Sequence, residues 1–95
     1  MKLAIVYTMK GCPFCSMMKE ELEKNQLPYI ERDIHEHEEE YEEFVVLTEN
    51  EYVPSFMLIT LDEEENAHDV RLLAPERDYN EINEGVEIIK KYVLD

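Results

Sequence analysis

Two cysteines separated by two residues stand in the segment Tyr7-Thr8-Met9-Lys10-Gly11-Cys12-Pro13-Phe14-Cys15. The residues from Leu3 to Thr8 form an almost continuous apolar run, which is typical of a strand buried on both faces. Gly11 lies in a turn, and Pro13 fits the first position of a helix, where its missing N–H costs nothing. The segment therefore predicts a strand, a tight turn and a helix, with both cysteines at the start of the helix.

Outward from this segment, hydrophobic periodicity predicts strands and helices along the whole chain. The predicted strands span residues 3–8, 29–34, 55–61 and 67–73, and the predicted helices span residues 13–25, residues 35–47 and the region after residue 78. In the order β-α-β-α-β-β-α, a helix joins the first two strands, which favours a parallel pair. A short turn joins the last two, which favours a hairpin. We expect an α/β fold with a four-stranded mixed sheet and three helices.

Two helices carry local signals of how they begin and pack. Asp78 and Glu81 fit a capping box at the start of the last helix, in which side chains bond the free N–H groups. In the first helix, Met17, Met18 and Leu22 form an apolar side. We expect this side to face the sheet and Asp78 to cap the last helix.

Length and charge restrict the classes of function. The 95 residues suffice for one domain, which we assign to residues 1–95. A net charge of −15 disfavours binding to nucleic acid and to anionic membranes. No segment has the roughly 18 apolar residues of a membrane span, and the N-terminal apolar run is too short for a signal peptide. We expect a cytoplasmic protein that is monomeric by default.

The placement of the cysteines predicts redox chemistry. A sulfur at a helix N-terminus faces unpaired backbone N–H groups and the positive end of the helix dipole, which lowers its pKa. This applies to Cys12, and Lys10 would add to the positive field. Cys15 lies one turn further in and should be more buried. The two sulfurs are therefore unequal, so that Cys12 attacks a disulfide and Cys15 resolves the mixed disulfide that forms.

Three other interpretations of the two cysteines remain open. A structural disulfide would close a very small loop and stabilise little, in a compartment that is expected to be reducing. A zinc site would need further ligands, and only His35, His37 and His68 supply imidazoles. The third interpretation is two inert core cysteines.

The segment from Tyr7 to Cys15 resembles the active site of dithiol glutaredoxins, in which Cys-Pro-Tyr-Cys follows a strand ending in Tyr-Thr. A second segment, Glu51-Tyr52-Val53-Pro54-Ser55-Phe56, resembles the Thr-Val-Pro segment of that family, where a cis proline lies beside the cysteines. The predicted order of elements matches the thioredoxin-like fold, so the resemblance covers essentially the whole chain.

The resemblance implies glutathione-linked reduction of disulfides, without a bound cofactor and with glutathione as the reductant. Cys12 would be the nucleophile and Cys15 the resolving thiol, while Phe14 replaces the usual Tyr beside the groove. Val53 and Pro54 would orient the substrate, with the Val53 backbone pairing with it like an added strand. The implied partners are glutathione and disulfide-containing proteins.

The sequence departs from the glutathione-binding pattern of the family in several places. Lys10 is one residue later than the family's lysine, and Met9 stands in that position. The Gly-Gly and Asp that follow the fourth strand are replaced by Leu73-Ala74-Pro75-Glu76-Arg77-Asp78. Asp78 is either the counterpart of the family's Asp or the helix cap. Arg77 either meets a glutathione carboxylate or is an ordinary surface residue.

Two alternative functions follow from these departures. The chain could be a redoxin that a reductase protein reduces and that serves one enzyme, such as a ribonucleotide reductase. It could also be a non-catalytic module that binds a metal or an iron–sulfur cluster through Cys12. The six Glu within residues 36–43 form either an acidic docking face or a solvated helix surface.

Overall fold

The order of strands and helices in the computed structural model, which describes residues 1–94, is the predicted β-α-β-α-β-β-α. The elements are β1 (Lys2–Thr8), α1 (Pro13–Lys24), β2 (Ile30–Asp33), α2 (Glu38–Thr48), β3 (Ser55–Leu61), β4 (Ala67–Leu73) and α3 (Ile82–Leu94). Both strands of the predicted hairpin, β3 and β4, have the predicted bounds. Within residues 1–94, no helix combines the length and apolar character needed to cross a membrane.

The four strands form one mixed sheet in the order β2-β1-β3-β4. The strand β1 pairs in parallel with β2 and antiparallel with β3, so that Ile5 lies opposite Ile30 on one side and Met57 on the other. The strands β3 and β4 are antiparallel. The predicted topology is confirmed, and β1 carries the active-site segment out of the interior of the sheet.

Helices cover both faces of this sheet. Because successive side chains of a strand point to opposite faces, Ala4 and Val6 lie in one apolar cluster while Ile5 and Tyr7 lie in the other. The larger cluster contains Ala4, Val6, Met18, Leu22, Leu27, Phe56, Leu58, Tyr79, Val86, Ile89 and Tyr92. The smaller one contains Ile5, Tyr7, Tyr41, Phe44 and Ala74. The helices α1 and α3 therefore share one face, and α2 covers the other.

Gly85 allows α3 to approach α1 and the segment before α3 closely. A Cβ atom built on Gly85 would lie 2.9 Å from Cε of Met18 and 3.2 Å from the ring of Tyr79. Any larger residue would push against two buried side chains, and a close-packed interior has little room to yield. This glycine weakens the helix pattern in the sequence, but its small size brings α3, α1 and Tyr79 together.

The prediction that α2 begins at His35 is wrong, because α2 begins at Glu38. The backbone carbonyl of Asp33 accepts hydrogen bonds from the N–H groups of Glu36 and His37, and its carboxylate accepts one from His35 N–H. These bonds fold residues 34–37 into a turn. An aspartate that bonds its own following backbone favours a turn over a helix.

The predicted capping box of α3 is also wrong. The helix begins at Ile82, and the carboxylate that accepts a hydrogen bond from the N–H of Glu81 belongs to Glu84, at 2.9 Å. The carboxylate of Asp78 instead accepts a hydrogen bond from the N–H of Ala74, at 2.8 Å. Asp78 closes the turn that precedes α3 and is therefore not its cap.

Candidate active site

Cys12 and Cys15 form a disulfide at the N-terminus of α1. Cys12 is the N-cap residue, and the Cα atoms of the two cysteines lie 5.3 Å apart. The preceding residues 9–12, which we call the active-site loop, turn sharply at Gly11, whose φ of 77° is readily adopted by glycine. The N–H of Cys12 donates to the carbonyl of Met9 at 3.3 Å.

The two sulfurs differ in exposure, as the sequence predicts. Cys15 is 2% exposed, whereas Cys12 is partly exposed to solvent. The backbone N–H of Cys15 donates to Sγ of Cys12 at 3.1 Å, and α1 directs its positive end toward the same atom. Both features favour negative charge on Cys12 once the disulfide is reduced.

The second predicted segment lies directly beside Cys12. The Val53–Pro54 peptide bond is cis, and the carbonyl oxygen of Val53 lies 4.0 Å from Sγ of Cys12. Pro54 is buried, and its carbonyl accepts a hydrogen bond from the hydroxyl of Tyr79. Burial raises the pKa of Tyr79, so its hydroxyl stays protonated and remains a donor at neutral pH.

An apolar groove of about 500 Å³ opens next to this pair of segments. Its lining contains Phe14, Met17, Tyr52, Val53, Pro54, Pro75, Glu76, Tyr79, Asn80, Glu81, Ile82 and Asn83. The volume is within the range of roughly 300–1,000 Å³ of ligand-binding clefts. The structure thus brings the predicted residues Phe14, Val53 and Pro54 together at one groove beside Cys12.

Three other predicted site residues lie outside the lining of this groove, namely Lys10, Arg77 and Asp78. Lys10 is exposed in the active-site loop. Nε of Arg77 lies 3.6 Å from the carboxylate of Asp78, which also bonds the N–H of Ala74. In this arrangement Arg77 and Asp78 serve the turn before α3.

Most of the residues that line the groove are not among the predicted site residues, and Met17 and Tyr79 are two of them. Met17 was assigned to the buried side of α1, but it is 48% exposed and lines the groove. Tyr79 is 4% exposed and lies in residues 74–81, which we call the β4–α3 loop. A single Tyr outside any periodic pattern carries no signal that its hydroxyl reaches Pro54, because that contact joins residues 25 apart.

Hydrogen bonds also tie the end of β1 to its neighbours. The hydroxyl of Thr8 donates to the carboxylate of Glu31 at 2.7 Å, and Nζ of Lys19 lies 3.0 Å from the same oxygen. These two partners, first Thr8 and then Lys19, hold the pKa of Glu31 below its ordinary value. Glu31 on β2 therefore joins the end of β1, through Thr8, to α1, through Lys19.

No group of three or more His, Cys, Asp or Glu side chains within residues 1–94 is arranged to hold a metal ion. The histidines that sequence analysis offered as zinc ligands are His35, His37 and His68. Nε2 of His68 lies 2.9 Å from the carboxylate of Asp62, in the turn between β3 and β4. The redox interpretation of the cysteine pair needs no metal ligand.

Comparison with solved structures shows the thioredoxin-like fold. The crystal structure of the thioredoxin-like protein BC3987 matches with a TM-score of 0.59 and 20% identity, covering 90% of this chain and 97% of that one. A crystal structure of a mutant of BC3987 matches with a TM-score of 0.57 and 18% identity, covering 97% and 99%. The structure of a malarial protein matches with a TM-score of 0.51 and 16% identity, covering 97% of each chain.

Comparison of the sequence with known proteins gives two results. A search of curated proteins finds no match. A family model described as glutaredoxin matches residues 4–58, which include the cysteine pair, the cis proline, all of β2 and most of β1 and β3. The chain belongs to the glutaredoxin family.

Proposed function

We propose that this protein reduces protein disulfides or glutathione mixed disulfides through Cys12 as nucleophile and Cys15 as resolving thiol. Family membership and the close cysteine pair support a thiol–disulfide oxidoreductase. The observation that carries the division of roles is the asymmetry of the pair. Cys12 is partly exposed and accepts the N–H of Cys15, while Cys15 is buried behind it.

The reaction starts from the reduced protein. The thiolate of Cys12 attacks one sulfur of the substrate disulfide, and the other substrate sulfur leaves as a thiolate that takes up a proton. Cys15 then loses its proton and attacks Sγ of Cys12, which releases the second substrate thiol. Two electrons have moved to the substrate, and the protein is left with the Cys12–Cys15 disulfide.

Glutathione is our proposed reductant for that disulfide, and two glutathione molecules would be oxidised in each cycle. In this proposal Val53 and Pro54 orient the incoming thiol, Phe14 borders it, and Lys10 adds positive charge near Cys12. Arg77 would bind a glutathione carboxylate from its exposed position beside Asp78. We place the cycle in a reducing compartment such as the cytoplasm, where a cysteine pair is kept reduced.

One observation favours a second candidate, a redoxin that a reductase protein reduces and that serves one enzyme, such as a ribonucleotide reductase. In the part of the chain that the structure describes, neither Lys nor Arg lines the groove, so no side chain of the lining forms an ion pair with the carboxylates of glutathione. A protein reductase would recognise a surface and would not require such a pair.

The experiment that tests the proposal is glutathione-coupled reduction of a small glutathione mixed disulfide by the wild type, Cys12→Ser and Cys15→Ser. We expect Cys12→Ser to reduce turnover to the uncatalysed rate, because the nucleophile is gone. Cys15→Ser should retain turnover, because glutathione itself can release the mixed disulfide on Cys12. On a protein disulfide, both variants should be inactive.

A parallel assay with dithiothreitol separates the two candidates. If the wild type is inactive with glutathione but reduces a protein disulfide with dithiothreitol, the reductase-linked candidate replaces the glutathione-linked one. If it is inactive with both reductants, the protein is not an oxidoreductase of this kind.

A further inference from the structure

The groove beside Cys12 has exposed apolar walls. Phe14 and Met17 on α1 and Tyr52 before the cis proline are 60%, 48% and 62% exposed, and all three line the groove. Exposed large apolar side chains gathered at one place mark an interaction site, and aromatic residues and Met are enriched in the centre of protein interfaces. The three side chains share this groove with Val53, whose carbonyl oxygen lies 4.0 Å from Sγ of Cys12.

The charged groups of the groove are acidic. Glu76 and Glu81 line it and are exposed, and Asn80 and Asn83 are the other side chains there with polar ends apart from Tyr hydroxyls. Within residues 1–94, the groove lining contains neither Lys nor Arg. Two carboxylates, in a protein with a net charge of −15, attract a cationic ligand and repel an anionic one.

The basic residues near the groove in sequence lie outside its lining, namely Lys10, Lys19 and Arg77. Two of them have acidic partners elsewhere, since Lys19 lies 3.0 Å from Glu31 and Arg77 lies 3.6 Å from Asp78. Glutathione carries two carboxylates and one ammonium group, so its net charge is unfavourable in this groove. An uncharged or basic polypeptide does not meet that repulsion.

We infer that the preferred substrate is a disulfide within a polypeptide segment that carries an apolar residue and a Lys or Arg next to the attacked cysteine. The apolar side chain would pack on Phe14, Met17 and Tyr52, and the cation would face Glu76 and Glu81. This inference rests on the proposed function, because Cys12 must attack the disulfide that the groove receives.

The test uses three short peptides that are identical except for the residue after their cysteine, which is Lys, Gln or Glu, with Leu before the cysteine. Each cysteine carries a nitrothiobenzoate group as a mixed disulfide. When the thiolate of Cys12 in fully reduced protein attacks the peptide sulfur, the coloured nitrothiobenzoate thiolate leaves, so its release gives the rate of attack. Each rate is divided by that of the same peptide with 2-mercaptoethanol, a neutral thiol, to remove intrinsic differences in reactivity.

We expect the Lys peptide to react about three- to tenfold faster than the Glu peptide, as exposed charge pairs permit, with the Gln peptide between them. The ratio should fall as salt is added. The double variant Glu76→Gln with Glu81→Gln should bring the ratio close to one. The matched control, Glu63→Gln with Glu64→Gln in the turn between β3 and β4, removes the same charge away from the groove lining and should preserve it.

Two results would overturn the inference while leaving the proposed function intact. One is that the wild-type protein reacts with all three peptides at the same normalised rate. The other is an equal loss of preference in both double variants, because that would assign the effect to the overall charge of the protein. If reduced wild-type protein releases nitrothiobenzoate from none of the peptides, the proposed function fails, and the inference fails with it.

Discussion

The active-site loop leads into α1 and the β4–α3 loop leads into α3, on the same face of the sheet. Different contacts fix the conformations of the two loops. The active-site loop is shaped by its own residues, since Gly11 takes the positive φ and Cys12 bonds back to Met9. In the β4–α3 loop the positive φ of 68° is at Glu76, which is not a glycine. A positive φ strains the backbone of a residue that has a side chain, so other contacts must stabilise this conformation.

Those contacts come from distant parts of the chain. The side-chain amide of Asn50 donates to the carbonyl of Pro75 at 2.8 Å, and the hydroxyl of Tyr79 donates to the carbonyl of Pro54. Inside the loop, the N–H of Glu76 donates to the carbonyl of Tyr79 at 2.7 Å. The conformation of the active-site loop is therefore specified locally, while that of the β4–α3 loop depends on contacts across the fold.

The largest effect should come from breaking the link between the β4–α3 loop and the cis proline. Tyr79→Phe removes the hydroxyl that bonds the buried Pro54 carbonyl but keeps the ring packed on Phe56, with ring centroids 5.6 Å apart. Leaving a buried acceptor without its donor costs about 1–3 kcal/mol. We expect the free energy of unfolding in urea to fall by that amount.

The matched control for this substitution is Tyr29→Phe. The hydroxyl of Tyr29 donates to the carboxylate of Glu23 at 3.1 Å in an exposed position, where water can replace either partner. Its loss should cost less than about 0.5 kcal/mol. If Tyr79→Phe and Tyr29→Phe lower the free energy of unfolding equally, the hydrogen bond to Pro54 stabilises the fold no more than an exposed one does.

A smaller effect is expected from the turn within the β4–α3 loop. Asp78→Ala removes the carboxylate that accepts the N–H of Ala74 at 2.8 Å, which should lower the free energy of unfolding by about 1 kcal/mol. Arg77→Ala removes only the exposed partner of the ion pair and should cost about 0–0.5 kcal/mol. If Arg77→Ala costs as much as Asp78→Ala, the ion pair and not the turn holds this loop.

The smallest effect is a pH dependence at Glu31, which joins the end of β1 to α1. The pKa of Glu31 is held below its ordinary value of 4.5 by Thr8 and then Lys19. Ionised Glu31 therefore stabilises the fold at neutral pH, and this contribution is lost as the pH falls below 4.5 through the lower folded-state pKa. Its side chain is 41% exposed, so solvent screening limits the contribution to a few tenths of a kcal/mol.

Glu31→Gln isolates this contribution. The difference in unfolding free energy between the wild type and Glu31→Gln should shrink as the pH is lowered from 7 to 3. Thr8→Val and Lys19→Gln should each reduce this pH dependence, because both partners lower the pKa of Glu31. A difference that stays constant between pH 7 and 3 would contradict the assignment.

Several features of the site could be predicted from residues close together in sequence. Cys12, Pro13 and Cys15 predicted the helix start, and the greater burial of Cys15 followed from its place one turn into α1. The place of Val53 and Pro54 beside Cys12 was predicted only through the resemblance to glutaredoxins. The position of Asp78 was misjudged because the pattern Asp78 to Glu81 fits a capping box equally well before the partner of the carboxylate is known.

Three properties could be predicted from the residues alone, namely the order of the strands and helices, the acidity of the protein and the unequal positions of the two cysteines. Each of these depends on local periodicity, composition or a helix terminus, which a short segment expresses without the rest of the chain. The packed fold was needed to show that Tyr79 bonds Pro54 and that Met17 and Tyr52 line one groove with Glu76 and Glu81. Those contacts join separate segments, so they arise from packing around the sheet and leave no periodic trace in the sequence.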